Sequence, residues 1–346
     1  MSFTRSLLRR AISAVALPVL AVGAGAQAAE EVNIYSYREP GLIDPILKTF
    51  TAETGIKVNV IYSKDGLIER IAAEGRNSPA DLILTPESGL LILAKTTGVT
   101  QATQSKVLEG AIDAKLRDPE GHWFGLTRRA RVVYASKDRV KQDAITYEEL
   151  ADPKWKGKIC IRSGQHTYNI ALIASMIAHD GEEKTEAWLT GLRDNLARKP
   201  AGGDREGVRD VQAGLCDLAI GNTYYMAAML KNPEQKAWAE SVKMLFPNAA
   251  DRGTHVNISG AAVAAHAPHR DSAIKLLEFM VSPEAQEIYA DANGEYPVIA
   301  EAKPSDLVKS WGELKSDTIP LSDIATLRKK ASELVDKVRF DAGPSS

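Results

Sequence analysis

Residues 32–37 (VNIYSY) are the first of several short, β-prone segments that alternate with helix-like segments along the chain. Residues 42–54 carry apolar side chains at helical spacing, and residues 56–62 (IKVNVIY) again have the alternation of a strand. A second helix is predicted over residues 65–74 and a third strand over residues 80–84 (ADLIL). Strands that alternate with helices indicate parallel βαβ units, so the sequence predicts an open α/β sheet.

The middle of the chain departs from this alternation. Residues 124–134 (FGLTRRARVVY) predict a long strand with no clear helix before it. Residues 256–264 predict a strand that returns towards the part of the chain formed by the first strands. We therefore expect two α/β lobes, each an open sheet flanked by helices, with a ligand cleft between them at the carboxyl ends of the strands. The predicted parts are residues 30–126 with 256–300 as lobe 1, residues 127–255 as lobe 2, and residues 301–346 as C-terminal helices, including one over 321–338.

The first 29 residues have the features of a secretory signal peptide. Arg5, Arg9 and Arg10 precede an apolar stretch, and residues 26–29 (AQAA) supply a small-residue cleavage pattern. The adjacent arginines leave both general secretion and twin-arginine export open. Export predicts a soluble, periplasmic mature chain that begins near Glu30.

The composition limits the partners and predicts one cross-link. The chain has 346 residues, 44% hydrophobic and 25% charged, and its net charge of −2 gives no electrostatic case for nucleic acid or an anionic membrane. Cys160 and Cys216 are the only cysteines, and an oxidising compartment predicts a disulfide between them. Such a bridge would hold the segments before Tyr168 and Tyr224 close together.

Tyrosines follow several predicted strands. Tyr168 comes after a strand at residues 158–162, and Tyr224 and Tyr225 come after a strand at residues 218–220, with a helix predicted over 227–231. A phenol with a pKa near 10 is a poor ligand at neutral pH, but a strongly polarising cation can displace its proton. Because hard oxygen donors suit hard cations, this pattern predicts ferric iron held by phenolates.

The charge balance of such a metal site predicts that a small anion binds together with the metal. Three phenolates neutralise ferric iron, and vacant coordination positions then need water, a carboxylate or a small anion such as carbonate. Arginines can hold the anion through charge-assisted hydrogen bonds. The candidates are Arg38, Arg129, Arg131 and Arg205.

Other chemistries fit the sequence less well. No His pair has the HExxH spacing of a zinc enzyme, and no EF-hand loop is present for calcium. Residues 163–166 (SGQH) lack the GxSxG context of a hydrolase, so no catalytic activity is predicted. The same fold with another ligand, such as a polyamine, thiamine or an organic anion, stays an alternative.

In the tyrosine segments and along most of the mature chain, the sequence resembles the ferric-iron-binding periplasmic proteins of bacterial ABC transporters, which are type II solute-binding proteins. The double tyrosine is the most specific match, whereas the helical matches near the C-terminus fix only the superfamily. The matching stretches are residues 33–39 (NIYSYRE), 55–60 (GIKVNV), 78–82 (SPADL), 122–126 (HWFGL), 152–158 (DPKWKGK), 221–225 (GNTYY), 251–260 (DRGTHVNISG), 273–279 (AIKLLEF) and 282–286 (SPEAQ).

The resemblance implies capture of ferric iron, with Tyr168, Tyr224 and Tyr225 as phenolate ligands, and delivery by a monomer to an inner-membrane ABC permease. Members of the family often have a His shortly after the first strand, where this chain has Glu39 and a proline. Two alternatives follow for the first lobe. Either Tyr37 or Glu39 binds the metal, or no first-lobe side chain does and an anion held by Arg38 and Arg129 takes its place.

Overall fold

The computed structural model describes residues 30–344, so the predicted signal peptide lies outside the described residues. The strands are β1 (Glu31–Ser36), β2 (Lys57–Tyr62), β3 (Leu82–Thr85), β4 (Phe124–Ser136), β5 (Ile159–Cys160), β6 (Leu218–Asn222), β7 (Val242–Leu245), β8 (Val256–Val263) and β9 (Tyr296–Pro297). The helices are α1 (Asp44–Thr54), α2 (Leu67–Glu74), α3 (Ser88–Thr96), α4 (Lys106–Ala111), α5 (Thr167–Asp180), α6 (Glu182–Asp194), α7 (Asp204–Gln212), α8 (Tyr224–Lys231), α9 (Lys236–Glu240), α10 (Arg270–Met280), α11 (Pro283–Asn293), α12 (Asp306–Lys309), α13 (Leu321–Thr326) and α14 (Arg328–Lys337).

The predicted βαβ alternation at the start of the chain is confirmed. β1 pairs in parallel with β2 on one side and with β3 on the other. Helix α1 connects β1 to β2. Pro45 lies in the first turn of α1, where its missing N–H costs nothing, and Gly55 ends the helix with a positive φ of 73°. Helix α1 buries Ile46, Leu47 and Phe50, and burial stabilises each such side chain by roughly 1.5–3 kcal/mol.

The long strand β4 is shared by two groups of strands. Its first half pairs with β8 and β9, whereas its second half pairs with β6 and β7. The strand order is β2-β1-β3-β8-β4-β6-β5, with β7 and β9 paired to β4 outside this path. β8 also pairs with β3, as expected for a returning strand. The residue boundaries assigned to the two lobes stay a prediction.

Two short parallel strands position the tyrosine-bearing segments. β5 pairs with β6 through Ile159 opposite Leu218 and Cys160 opposite Ala219. Because the strands are parallel, the segments that follow them begin at the same edge of the sheet. The predicted disulfide joins Cys160 to Cys216 and ties β5 to the turn before β6.

Some elements differ from the sequence prediction. The predicted helix over 321–338 is two helices, α13 and α14, separated at Leu327. Helix α8 begins at Tyr224 and not at residue 227, because Thr223 already has helical backbone angles and its carbonyl accepts a hydrogen bond from Met226 N. Helix α3 and strand β7 have no counterpart among the predicted elements. Within residues 30–344 we find no helix long and apolar enough to cross a bilayer.

Candidate metal site

Tyr168 is held at the start of helix α5. It is the second residue of that helix, and His166 caps the helix by accepting a hydrogen bond from Tyr168 N through Nδ1 at 3.2 Å. The His166 and Tyr168 rings also meet edge to face, with centroids 4.7 Å apart. These local contacts fix the backbone from which the Tyr168 phenol projects.

Tyr224 and Tyr225 are the first two residues of helix α8, directly after β6 and one connecting residue. The end of β6 is fixed because Tyr134 donates its hydroxyl proton to Asn222 O at 2.6 Å. The parallel pairing of β5 with β6 then brings Tyr168 to Tyr224, and their hydroxyl oxygens lie 3.3 Å apart. The Tyr224 and Tyr225 rings have centroids 4.2 Å apart, so the three tyrosines form one cluster, which we call the tyrosine cluster.

The phenols of Tyr224 and Tyr225 are poor acids without a cation. Burial, together with the neighbouring phenols Tyr168 and Tyr225, raises the pKa of Tyr224 well above its ordinary value of 10. Burial, followed by the charge of Asp204, raises the pKa of Tyr225 to about 12. At neutral pH both phenols therefore keep their protons, and any cation that binds here must displace them.

Arg129 lies beside the tyrosine cluster and has unused donors. Its guanidinium carbon is 5.8 Å from the centroid of the Tyr224 ring, and Nη2 donates to Pro86 O. The side chain is buried, yet within residues 30–344 neither Nε nor Nη1 has a hydrogen-bond partner. A buried N–H without a partner costs free energy, so Arg129 is suited to hold an anion next to the phenols.

Arg205 approaches the cluster from helix α7. Its guanidinium carbon is 5.9 Å from the centroid of the Tyr225 ring, and Nη1 lies 3.5 Å from Gln235 Oε1. The side chain is only half-buried. Arg205 therefore places a positive charge near Tyr225 but is less enclosed than Arg129.

Two further arginines share one buried carboxylate behind the cluster. Arg131 is paired with Asp204, whose side chain is fully buried, and Arg162 Nη1 lies 3.3 Å from Asp204 Oδ1. The guanidinium carbons of Arg131 and Arg162 are 5.9 and 5.5 Å from the Tyr168 ring centroid. Asp204 thus compensates part of the positive charge beside Tyr168, and the guanidinium of Arg131 is engaged in a salt bridge with that carboxylate.

Arg38 is engaged by a carboxylate of its own. Its Nη2 lies 2.9 Å from Glu295 Oε2 and its Nη1 lies 3.2 Å from Glu295 Oε1, in a buried bidentate pair. Arg38 also donates to Ser259 Oγ. Burial raises the pKa of Glu295, but the charges of Arg38 and Arg129 outweigh that effect, so its pKa is lowered and the carboxylate is ionised. Arg38 therefore has fewer free donors for an anion than Arg129.

The first-lobe candidates Tyr37 and Glu39 have other surroundings than the tyrosine cluster. The Tyr37 hydroxyl accepts a hydrogen bond from Ile68 N at 2.8 Å, at the start of helix α2, and the ring packs in an apolar cluster with Leu67 and Ile68. Glu39 is exposed at the start of the turn before α1. No hydrogen bond or ring contact among the described residues joins either side chain to Tyr168, Tyr224 or Tyr225.

Sequence reasoning missed three residues around the cluster: Arg162, Asp204 and Glu295. Arg162 ends the segment just before Tyr168, so its position after a strand was an available signal. Asp204 follows two glycines at the start of helix α7, a common place for an acidic residue. Nothing local in the sequence relates Glu295 to Arg38, because 257 residues separate them.

The donor set of the site is mainly phenolic. Within residues 30–344, no group of three or more His, Cys, Asp or Glu side chains is arranged to hold a metal ion. The tyrosine cluster offers oxygen donors that become anionic when a cation binds, and Arg129 offers donors for an accompanying anion. This combination is suited to a hard, highly charged cation.

Comparison with known proteins gives the family. The model of the bacterial extracellular solute-binding proteins matches residues 46–316. The chain belongs to this family. The α/β, two-lobed fold predicted for this solute-binding protein is confirmed, as is its resemblance to type II periplasmic binding proteins.

Several named relatives of this solute-binding protein are iron proteins. Iron uptake protein A1 of Synechocystis sp. is 46% identical over 312 residues, which cover 89% of this chain and 87% of the relative. The Bordetella ferric binding protein is 54% identical with a TM-score of 0.85, over 90% of this chain and 100% of that one. A Trichodesmium protein (IdiA, FutA) in complex with iron and citrate ligands is 43% identical with a TM-score of 0.87, over 90% and 99% of the two chains. These relatives are named for uptake or binding and not for catalysis.

Proposed function

We propose that this solute-binding protein captures ferric iron in the periplasm through the phenolate oxygens of Tyr168, Tyr224 and Tyr225. The observation that carries the proposal is the convergence of the Tyr168 and Tyr224 hydroxyls at 3.3 Å, with the tilted Tyr225 ring 4.2 Å from the Tyr224 ring. Three phenolates supply three negative charges, which neutralise one ferric ion.

The choice of ferric iron follows from the donors and from the relatives. Neutral phenols with raised pKa values release their protons only to a strongly polarising cation, and phenolate oxygen is a hard donor. The names of the Synechocystis and Bordetella relatives support iron as the cargo.

An anion such as carbonate would complete the coordination. Arg129 is the best placed of the predicted arginines because two of its buried nitrogens have no partner among the described residues. Arg205 adds a positive charge near Tyr225 that would also attract the anion. Arg38 is largely occupied by its ion pair with Glu295. Tyr37 and Glu39 stay predictions as first-lobe ligands, since Tyr37 already accepts a hydrogen bond from Ile68 N.

Delivery would depend on closure of the two lobes. Iron favours whichever conformation offers the more complete coordination shell, so a site that uses groups from both lobes stabilises the closed form. The loaded monomer would then present its iron to an inner-membrane ABC permease. No catalytic step is needed for this role.

Elemental analysis combined with the visible spectrum tests the proposal. We expect purified protein to take up one ferric ion per chain from ferric citrate and to develop phenolate-to-iron colour. The variant with both Tyr224→Phe and Tyr225→Phe should lose most of that colour. A wild-type protein that stays colourless and metal-free with ferric citrate, but is stabilised by thiamine or a polyamine, would replace iron with an organic solute.

A further inference from the structure

Arg328, the first residue of helix α14, contacts segments that follow strands of two different groups. Its Nη2 donates to Thr167 Oγ1 at 2.6 Å, and its Nη1 lies 3.3 Å from Glu87 Oε2. Glu87 follows β3, which pairs with β1 and β8, whereas Thr167 opens α5, which follows β5. A single guanidinium therefore joins the turn after β3 to the helix that carries Tyr168.

Glu87 is a fixed anchor for this contact. Its side chain is 3% exposed, and the carboxylate caps helix α3 by accepting hydrogen bonds from Gly89 N at 2.8 Å and Leu90 N at 3.0 Å. The negative charge also lies at the positive end of the α3 dipole. The capped carboxylate is therefore held in place from the α3 side, and Arg328 contacts an anchor that does not depend on it.

Thr167 connects the contact to the proposed ligand. It is the residue before Tyr168 in the first turn of α5, so its position sets where the Tyr168 backbone begins. The planar fork of arginine directs one N–H group at Thr167 and another at Glu87, which a lysine ammonium on a flexible stem reproduces only in part. An effect of Arg328 on Tyr168 would therefore pass through Thr167, the residue that Arg328 contacts.

We propose that Arg328 is a positioning residue for iron capture, which holds the Tyr168 end of helix α5 against the Glu87 turn and so slows the release of bound iron. This inference rests on the proposed function of the tyrosine cluster. Without Arg328 the start of α5 is tied to the β3 side of the molecule by fewer contacts, so the Tyr168 phenolate leaves the iron more often.

Gly89 offers a way to disturb the contact while keeping the arginine. A Cβ atom at Gly89 would lie 2.5 Å from Arg328 Cζ, which is too close, and the guanidinium at the end of a flexible side chain would have to move. Alanine is a better helix former than glycine, so Gly89→Ala should keep or improve the stability of α3. The Gly89→Ala variant therefore separates displacement of Arg328 from loss of its charge and from general unfolding.

The experiment measures iron release and stability together. Protein loaded from ferric citrate is mixed with excess EDTA, the loss of visible colour gives the release rate, and Tm is measured for the same samples. The variants are Arg328→Ala, Arg328→Lys and Gly89→Ala. Lys330→Ala is the matched control, because Lys330 lies on the same helix and pairs at 2.9 Å with Glu182 of α6, without reaching the β3 side.

We expect release about tenfold faster in Arg328→Ala and Gly89→Ala, a smaller acceleration in Arg328→Lys, and a rate within about twofold of wild type in the control. Rates in Arg328→Ala and Gly89→Ala equal to the control, or acceleration only in proportion to a lower Tm, would overturn the inference while leaving iron binding intact. A wild-type protein that takes up no iron would overturn the proposed function, and this inference with it.

Discussion

The hydroxyl oxygens of Tyr168 and Tyr224 lie 3.3 Å apart although 56 residues separate them in the chain. Their helices begin at the same edge of the sheet because β5 and β6 are parallel, and the Cys160–Cys216 bridge fixes the same two segments covalently. Two neutral phenols at this distance share one hydrogen bond. A cation that displaces their protons would bind two phenolate oxygens that the backbone has already brought together.

Single replacement of each phenol tests the ligand set. Tyr168→Phe, Tyr224→Phe and Tyr225→Phe each remove one oxygen and keep the ring, so packing is largely preserved. We expect each change to weaken iron affinity by more than the roughly 10–100-fold typical of residues outside the coordination shell. Competition with citrate, followed by visible absorbance, measures the change.

Tyr62→Phe provides the control for these variants. Tyr62 ends β2, which is an edge strand of the sheet far from the tyrosine cluster in strand order. Its loss of a hydroxyl should leave iron affinity unchanged. An affinity equal to wild type in Tyr168→Phe would remove that residue from the ligand set and leave the other two to be explained separately.

Iron binding should release protons. Burial raises the pKa of Tyr224 well above 10 and that of Tyr225 to about 12, so both phenols are protonated in the apoprotein at pH 7. Each phenol that becomes a phenolate ligand therefore releases one proton, and iron affinity should rise with pH and fall as the solution is acidified. Calorimetry in buffers of different ionisation enthalpy counts the protons.

The double variant of Tyr224 and Tyr225 corrects for protons exchanged by ferric citrate itself. We expect wild type to release about two more protons per iron than this variant under the same conditions. Equal proton release in the two proteins would mean that neither phenol ionises on binding, which contradicts phenolate coordination.

Asp204 should be important for stability because it is a buried carboxylate next to two cations. Asp204→Asn leaves Arg131 and Arg162 without their shared counter-charge, and removal of one partner from a buried ion pair typically costs about 3–5 kcal/mol. Denaturant unfolding of the apoprotein measures the loss. Asp217→Asn is the control, since its partner Arg139 is 38% exposed and solvent weakens such a pair, so we expect a smaller loss of about 1 kcal/mol.

A similar loss of unfolding free energy in both carboxylate variants would show that the ion pairs of Asp204 contribute no more than a solvent-exposed pair. A large loss in Asp204→Asn alone would support its assignment as the compensating charge behind Tyr168. Iron affinity measured in the same variant shows whether the charge beside the phenols affects binding as well as folding.

The Cys160–Cys216 disulfide should stabilise the arrangement of β5 and β6. In the chain-entropy model, a cross-link across a loop of this length contributes about 4 kcal/mol. The variant with both cysteines replaced by serine should therefore unfold at lower denaturant concentration and hold iron less tightly. Mass spectrometry verifies that the wild type carries the bridge. If the serine variant then matches wild type in unfolding and in iron titration, strand pairing alone positions the tyrosines.

The fold and the tyrosine cluster could be predicted from local signals, whereas their surroundings could not. Alternation of strands and helices identified β1 to β3, and the residues after β5 and β6 identified Tyr168, Tyr224 and Tyr225. The start of α8 was missed because tyrosines are not strong helix formers, whereas in the structure Thr223 already has helical backbone angles. Contacts between distant segments, such as Arg38 with Glu295, leave no periodic pattern in the sequence.

Arg129 should control the dependence of iron binding on an anion. Its buried Nε and Nη1 have no partner among the described residues, and an anion at that position would gain charge-assisted hydrogen bonds worth roughly 1.5–3 kcal/mol, or about 10–100-fold in affinity. We therefore expect bicarbonate to strengthen iron binding by about that factor in wild type. In Arg129→Gln the effect should be lost. Titration in bicarbonate-depleted and bicarbonate-containing buffers measures it, and Arg205→Gln is the comparison because Arg205 lies over the Tyr225 ring, whereas Arg129 lies over the Tyr224 ring. If Arg205→Gln removes the bicarbonate effect and Arg129→Gln does not, then the anion binds beside Tyr225 and the unpaired nitrogens of Arg129 have another role.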